Sequence, residues 1–247
     1  MYQNDLVYGF VQGAGLVADI ASPDNDGPFP VILSVHGGRW IRGHRRDASA
    51  IDPQQWADLG FFAISISYRL VTCSPAPACY QDMYCALRWV HAHAEQYHLD
   101  TNRIFLIGMS AGAHMVSLAA TLGEGQWPRT GGWEDQSCDF RAVVCSSGVY
   151  DLVKLDWGSG WMPPGEDWKQ ARAYASPIRH VSSGSKPMLI LHSDDDPSAP
   201  IQQALDMAHA LHASGSHYVF KHYQDRGHIT ITNEVIEESK KFMNTYT

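Results

Sequence analysis

Apolar residues along this chain fall into short continuous runs that alternate with stripes at helical spacing. Residues 30–35 and 61–68 are nearly unbroken apolar runs, as expected of strands covered on both faces, and residues 103–107, 142–146, 187–191 and 217–223 repeat the pattern. Between them lie segments with helical spacing at 52–59, 81–97, 113–122, 202–214 and 232–243; in the second, Tyr84, Leu87, Trp89, Val90 and Ala94 define the apolar stripe. Residues 5–21 read as two short strands joined at Gly13, Ala14 and Gly15, a leading hairpin followed by a polar loop over 22–30. This alternation predicts an α/β fold with a mostly parallel sheet and helices on both faces, in one domain spanning 1–247. Residues 149–175 break the rhythm. Trp157, Trp161 and Trp168 stand there among glycines and paired prolines, too irregular for a plain crossover, so a small cap over about 151–174 is expected.

Reactive side chains cluster just beyond predicted strands. His36-Gly37-Gly38 follows one, Ser110 the next but one, and Asp194-Asp195-Asp196 and His228 the last two. In a parallel sheet all these strand ends share one edge, where sites are built. Ser110 sits in Gly108-Met109-Ser110-Ala111-Gly112, between a strand and a helix. Flanking glycines allow a sharp turn that lifts the hydroxyl clear of the sheet, and the following helix aims its first amides at the same place. A serine that merely caps the helix is the plain alternative. Any of the three adjacent aspartates, or Asp151 after the preceding strand, is placed to serve as the acid. For the base, His209 and His212 lie on a predicted helix and His217 and His222 in a strand, whereas His228 occupies a loop behind a glycine.

The order serine, acid, histidine resembles the α/β-hydrolase superfamily. Within it the chain is similar to small esterases near the hormone-sensitive-lipase group, including carbohydrate-acting acetyl and feruloyl esterases and kynurenine formamidases with an HGGxW signature. The matching pieces are His36-Gly37-Gly38-Arg39-Trp40, Tyr68-Arg69-Leu70, Asp82, the Ser110 pentapeptide, Ala175-Ser176-Pro177-Ile178 and Asp196-Pro197. The resemblance implies a triad of Ser110, Asp196 and His228, with an oxyanion hole from the amides of Gly38, Arg39 and Ala111. It departs from the lipase-like pattern at Arg39, in place of a third glycine, and at Ala113. Arg69 and Asp82 then read as structural braces, while Trp40, Trp161 and Trp168 are candidates to stack on a substrate ring, or else core residues.

The formal charge of −8, with 18 Lys+Arg in 247 residues, argues against a nucleic-acid or anionic-membrane partner. No apolar run approaches a membrane span, and the first five residues lack a basic region leading into an apolar one, so a cytoplasmic protein is expected. Five cysteines without CxxC spacing indicate neither a disulfide framework nor zinc, although Cys73 and Cys79 flank a loop and are placed to pair in an exported protein. His91-Ala92-His93 and His209-x-x-His212 lack a third ligand at sensible spacing, and no cofactor is expected. These readings converge on a serine carboxylesterase for small or medium acyl esters. An arylformamidase is the alternative, followed by a non-catalytic binding protein on the same fold.

Overall fold

The computed structural model describes residues 1–155 and 160–246. Eight strands form one sheet: β1 (Tyr2–Val11), β2 (Ala14–Ala21), β3 (Phe29–Val35), β4 (Phe62–Ile66), β5 (Leu99–Met109), β6 (Ala142–Ser146), β7 (Met188–Ser193) and β8 (Tyr218–Tyr223), in the order β1-β2-β4-β3-β5-β6-β7-β8. The hairpin β1–β2 joins β4 antiparallel, and every pairing from β4 to β8 is parallel. The α-helices among the described residues are α1 (Pro53–Asp58), α2 (Ala78–Ala92), α3 (Ala111–Leu122), α4 (Trp168–Tyr174), α5 (Gln202–Ser214) and α6 (Asn233–Met243).

Strand alternation distributes the apolar runs to two layers. Leu33 and Val35 of β3 and Ile104 and Leu106 of β5 pack with α2, α3 and α5, whereas Ile32, Phe105 and Ile107 pack with Trp56 of α1 and with Val235 and Phe242 of α6. These strands are buried on both faces, which is why they carry no polar alternation. Each large side chain hidden this way contributes about 1.5–3 kcal/mol. The helices begin where local chemistry allows. Asp52 accepts from the Gln54 amide ahead of Pro53, and Thr232 accepts from the Val235 amide at the start of α6.

Three expectations shift. The hairpin turns at Gln12 and Gly13, one residue early, since two left-handed residues (φ 49° and 82°) match the twist of the flanking strands. Helix α2 starts at Ala78 and ends at Ala92; Tyr97 keeps its helical-looking spacing because its ring folds back near Trp89 and His93. Cys73 and Cys79 are free thiols, the first exposed and the second buried in the first turn of α2, so they do not pair. Among the described residues no helix is long and apolar enough to cross a membrane.

The segment after β4 is fastened to α2 by Arg69. Its backbone N–H donates to Asp82 at 2.7 Å, and its guanidinium spans both carboxylate oxygens at 2.7–3.0 Å. Asp82 is fully buried, and burial raises its pKa against the opposing pull of Arg69. Asp82→Ala is therefore expected to cost about 3–5 kcal/mol, the usual penalty for leaving one member of such a pair unpartnered. In a chain of this size that lowers Tm by roughly 6–20 °C. A melting shift below about 2 °C would contradict the bracing role.

Candidate active site

Ser110 lies between β5 and α3 with φ 56° and ψ −114°, a left-handed conformation that a serine holds only under constraint. The constraint is close approach of backbones. A Cβ on Gly112 would sit 1.9 Å from the Val35 carbonyl oxygen, and one on Gly108 would sit 2.3 Å from the Gly112 carbonyl carbon. Both glycines are thus required for α3 to begin hard against the ends of β3 and β5. The Ser110 amide donates to the Ser146 carbonyl at 2.9 Å, and its own carbonyl accepts the first helical bond, from His114.

The loop after β3 rests on this turn. A Cβ at Gly37 would meet the Met109 carbonyl at 3.0 Å and the Ser110 Cβ at 3.3 Å, so the loop backbone lies directly beside the serine. Two groups hold the Gly37 carbonyl. His36 Nδ1 donates to it at 2.7 Å, and the Tyr68 hydroxyl reaches it at 3.4 Å while donating to the His36 carbonyl at 3.1 Å. His36 is buried and stacked on Tyr68 at 4.0 Å, and burial lowers its pKa to about 4 against the bond to Gly37, so the ring is neutral. In a trans peptide the next N–H points opposite to the carbonyl, so anchoring Gly37 fixes the direction of the Gly38 amide. Gly38 (φ 110°), Arg39 (φ 55°) and Trp40 (φ 62°) then turn the chain back, with the Ile41 and Arg42 amides on the Gly38 carbonyl at 3.1 Å. The sequence assigned His36 and Tyr68 no role of their own; they entered only within the matching pieces His36-Gly37-Gly38-Arg39-Trp40 and Tyr68-Arg69-Leu70.

At the other side of the edge, His228 Nδ1 lies 2.8 and 2.9 Å from the two Asp196 oxygens. Asp196 Oδ1 also accepts from the amides of Ser198 and Ala199, at 2.8 and 2.9 Å. Burial pushes the Asp196 carboxyl upward, but the bonds from His228 and these amides outweigh it, and the group sits below the ordinary carboxylate range. Beneath it, buried His192 donates from Nε2 to the Ala199 carbonyl at 2.8 Å and stands 3.6 Å from Asp196. The rival aspartates point elsewhere. Asp195 accepts from Ser193 Oγ and the Gly227 amide, Asp194 from the Asp225 amide, and Asp151 caps the turn at Val153. His209, His212, His217 and His222 are all exposed.

The His228 loop is tied on both flanks. The Arg226 amide donates to Ser193 Oγ at 3.0 Å, the Ile229 amide to Ser147 Oγ at 2.8 Å, and Ser146 Oγ donates to the Ile229 carbonyl at 2.9 Å. A hollow of about 190 Å³ opens beside His228, walled by Tyr223, Arg226, Thr230, Thr232 and Glu234.

The tryptophans divide. Trp40 and Trp161 are only 1% exposed and pack edge to face against each other and around His114, so protein covers their rings. Trp168 is 41% exposed and stacks with Lys169 and Arg172. Trp40, in the loop after Gly38 and Arg39, thus shares an enclosed aromatic cluster with Trp161, whereas Trp168 packs against cationic side chains of α4. Residues 156–159 of the expected cap, Trp157 among them, lie outside the described residues. Just after them, Gly160 sits on the Arg39 carbonyl and the Trp40 ring, so this end of the segment is seated against the Gly38 loop.

Residues 18–211 match the BD-FAE family model. Two proteins of Mycobacterium tuberculosis (strain ATCC 25618 / H37Rv), "Probable carboxylic ester hydrolase LipM" and "Esterase LipQ", are each 31% identical to it, over 82% and 76% of this chain. The chain spans about half the length of these curated relatives, 50% of the first and 47% of the second. Among solved structures, a truncated carbohydrate esterase from gut microbiota superposes with a TM-score of 0.83 at 21% identity, covering 100% of this chain and 96% of that one. Esterase Est2 of Thermogutta terrifontis superposes with a TM-score of 0.81 at 22% identity, covering 98% and 91%. With its parallel sheet, the sharp turn at Ser110 and a family match over most of its length, the chain has the α/β-hydrolase fold and belongs to the BD-FAE family.

Proposed function

We propose that the chain is a serine carboxylesterase with Ser110 as nucleophile, His228 as base and Asp196 as its orienting acid. The observation that carries this reading is the left-handed turn at Ser110, on the same sheet edge as a histidine whose Nδ1 is held by a carboxylate. In the first step Ser110 Oγ attacks the ester carbonyl carbon while His228 Nε2 takes its proton. The carbonyl oxygen becomes an oxyanion, stabilised by the amides of Gly38, Arg39 and Ala111. Collapse breaks the bond to the alcohol oxygen, which leaves with the proton from His228, and Ser110 remains acylated. Water then repeats the sequence, with His228 taking its proton and returning one to Ser110 as the carboxylic acid departs. Asp196, ionised and held by two amides, keeps the proton on Nδ1 and stabilises the imidazolium formed in each half.

With a small cap over the site, rates on nitrophenyl esters are expected to fall once the acyl chain exceeds about four to six carbons, the scale set by ordinary pockets of roughly 300–1,000 Å³. The likeness to a carbohydrate esterase makes acetylated xylan and a feruloyl ester further arms of the panel, and N-formylkynurenine tests the formamidase alternative, which needs the same residues. The purified chain should also take an organophosphonate adduct on the peptide containing Ser110. An adduct on a different serine, or turnover confined to the formamide, would redirect the assignment.

A further inference from the structure

We propose that Ser146 and Ser147, at the end of β6, are positioning residues that set the separation between Ser110 and His228. The inference rests on the reading of those two residues as nucleophile and base. Ser146 bonds to both sides of the site: its carbonyl accepts the Ser110 amide at 2.9 Å, and its hydroxyl donates to the carbonyl of Ile229, the residue after His228, at 2.9 Å. Ser147 completes the grip by accepting the Ile229 amide at 2.8 Å, and its own amide is anchored to the Leu191 carbonyl of β7 at 2.9 Å. Both serines are fully buried.

The backbone at Ser147 explains how two neighbours address one residue. Consecutive side chains leaving a strand point to opposite faces, so Ser146 and Ser147 would ordinarily diverge. Ser147 adopts φ 49°, in the left-handed region, which turns its hydroxyl back toward Ile229. Such a conformation in a serine persists only where surrounding contacts enforce it. On the other flank Ser193 and Asp195 hold the amides of Arg226 and Gly227. His228 thus stands between two tied backbone stretches, and the end of β6 shares with Asp196 in setting where its ring lies.

Ser147→Gly and Ser147→Ala separate positioning from stability, because both delete the hydroxyl but only glycine also relieves the left-handed strain. The glycine variant should melt higher than the alanine variant. Both should lose about 10- to 100-fold in kcat on nitrophenyl acetate, the scale on which a displaced catalytic group acts, with KM within about twofold of the parent. The rate of Ser110 phosphonylation should fall by the same factor, and Ser146→Ala should behave alike. A kcat that follows the melting temperature, with Ser147→Gly recovering the parent rate, would reduce the pair to structural residues and overturn the proposal. Ser110→Ala and His228→Ala, assayed in parallel, distinguish the two levels: activity surviving in either would overturn the triad reading itself, whatever the Ser147 variants do.

Discussion

Ser110→Ala is expected to lower kcat for nitrophenyl ester hydrolysis by about five to six orders of magnitude, the loss seen when a serine hydrolase is deprived of its nucleophile. The backbone should hardly respond. The Ser110 conformation is imposed by the approach of Gly108 and Gly112 to neighbouring main chain, and its amide bond to Ser146 involves no side-chain atom. Alanine shares the serine Cβ, so the left-handed strain is unchanged and Tm should stay within about 2 °C, corresponding to a stability change below about 1 kcal/mol. Any residual rate is expected to come from the proposed oxyanion amides of Gly38, Arg39 and Ala111, which need no nucleophile. Steady-state assays on freshly purified protein, with loss of the phosphonate adduct, check this; a variant within tenfold of the parent would remove Ser110 from the chemistry.

Asp196→Asn should reduce kcat by about four orders of magnitude, and the hydrogen bonds around it say why. Asp196 Oδ1 is committed to the amides of Ser198 and Ala199, which need an acceptor. An asparagine must therefore keep its oxygen there and place its NH2 where Oδ2 stood, 2.8 Å from His228 Nδ1. Facing a donor, Nδ1 becomes the acceptor and the proton moves to Nε2, leaving no lone pair to receive the Ser110 proton. Asp195→Asn retains an oxygen for the Gly227 amide, and Asp194→Asn touches only the Asp225 amide, so each should cost about tenfold or less. A larger loss at Asp195 than at Asp196 would transfer the acid's role.

What could be read from the sequence follows the range of the interactions involved. Helix α5 begins and ends where the apolar stripe predicts, since the glycine after it, Gly215, caps it locally in a left-handed conformation. The sharp turn at Ser110 was equally legible because its glycines are two residues away. The start of α2 was not, because Ala78, Cys79 and Tyr80 are all buried and blur the helical period. The roles of His36 and Tyr68 depend on strands β3 and β4 lying side by side, and those of Ser146 and Ser147 on partners more than 80 positions away. Serine carries no hydrophobic pattern and bonds in too many settings for its partner to be inferred from spacing. Trp40 and Trp161 illustrate the opposite difficulty: a tryptophan in an irregular segment reads the same whether its ring meets a ligand or another tryptophan, and burial alone separates the cases.

The ties around His228 also reach across a long stretch of chain. The turn at Ser110 is built from β3, β5 and the start of α3, whereas the hydroxyls of Ser146 and Ser147 grip a partner more than 80 residues further along the chain. At elongation rates of about 5–20 residues per second, the Ser110 turn is synthesised several seconds before the His228 loop. The two parts of the sheet edge are consequently joined only when β8 docks against β7 and the loop beyond it meets the end of β6.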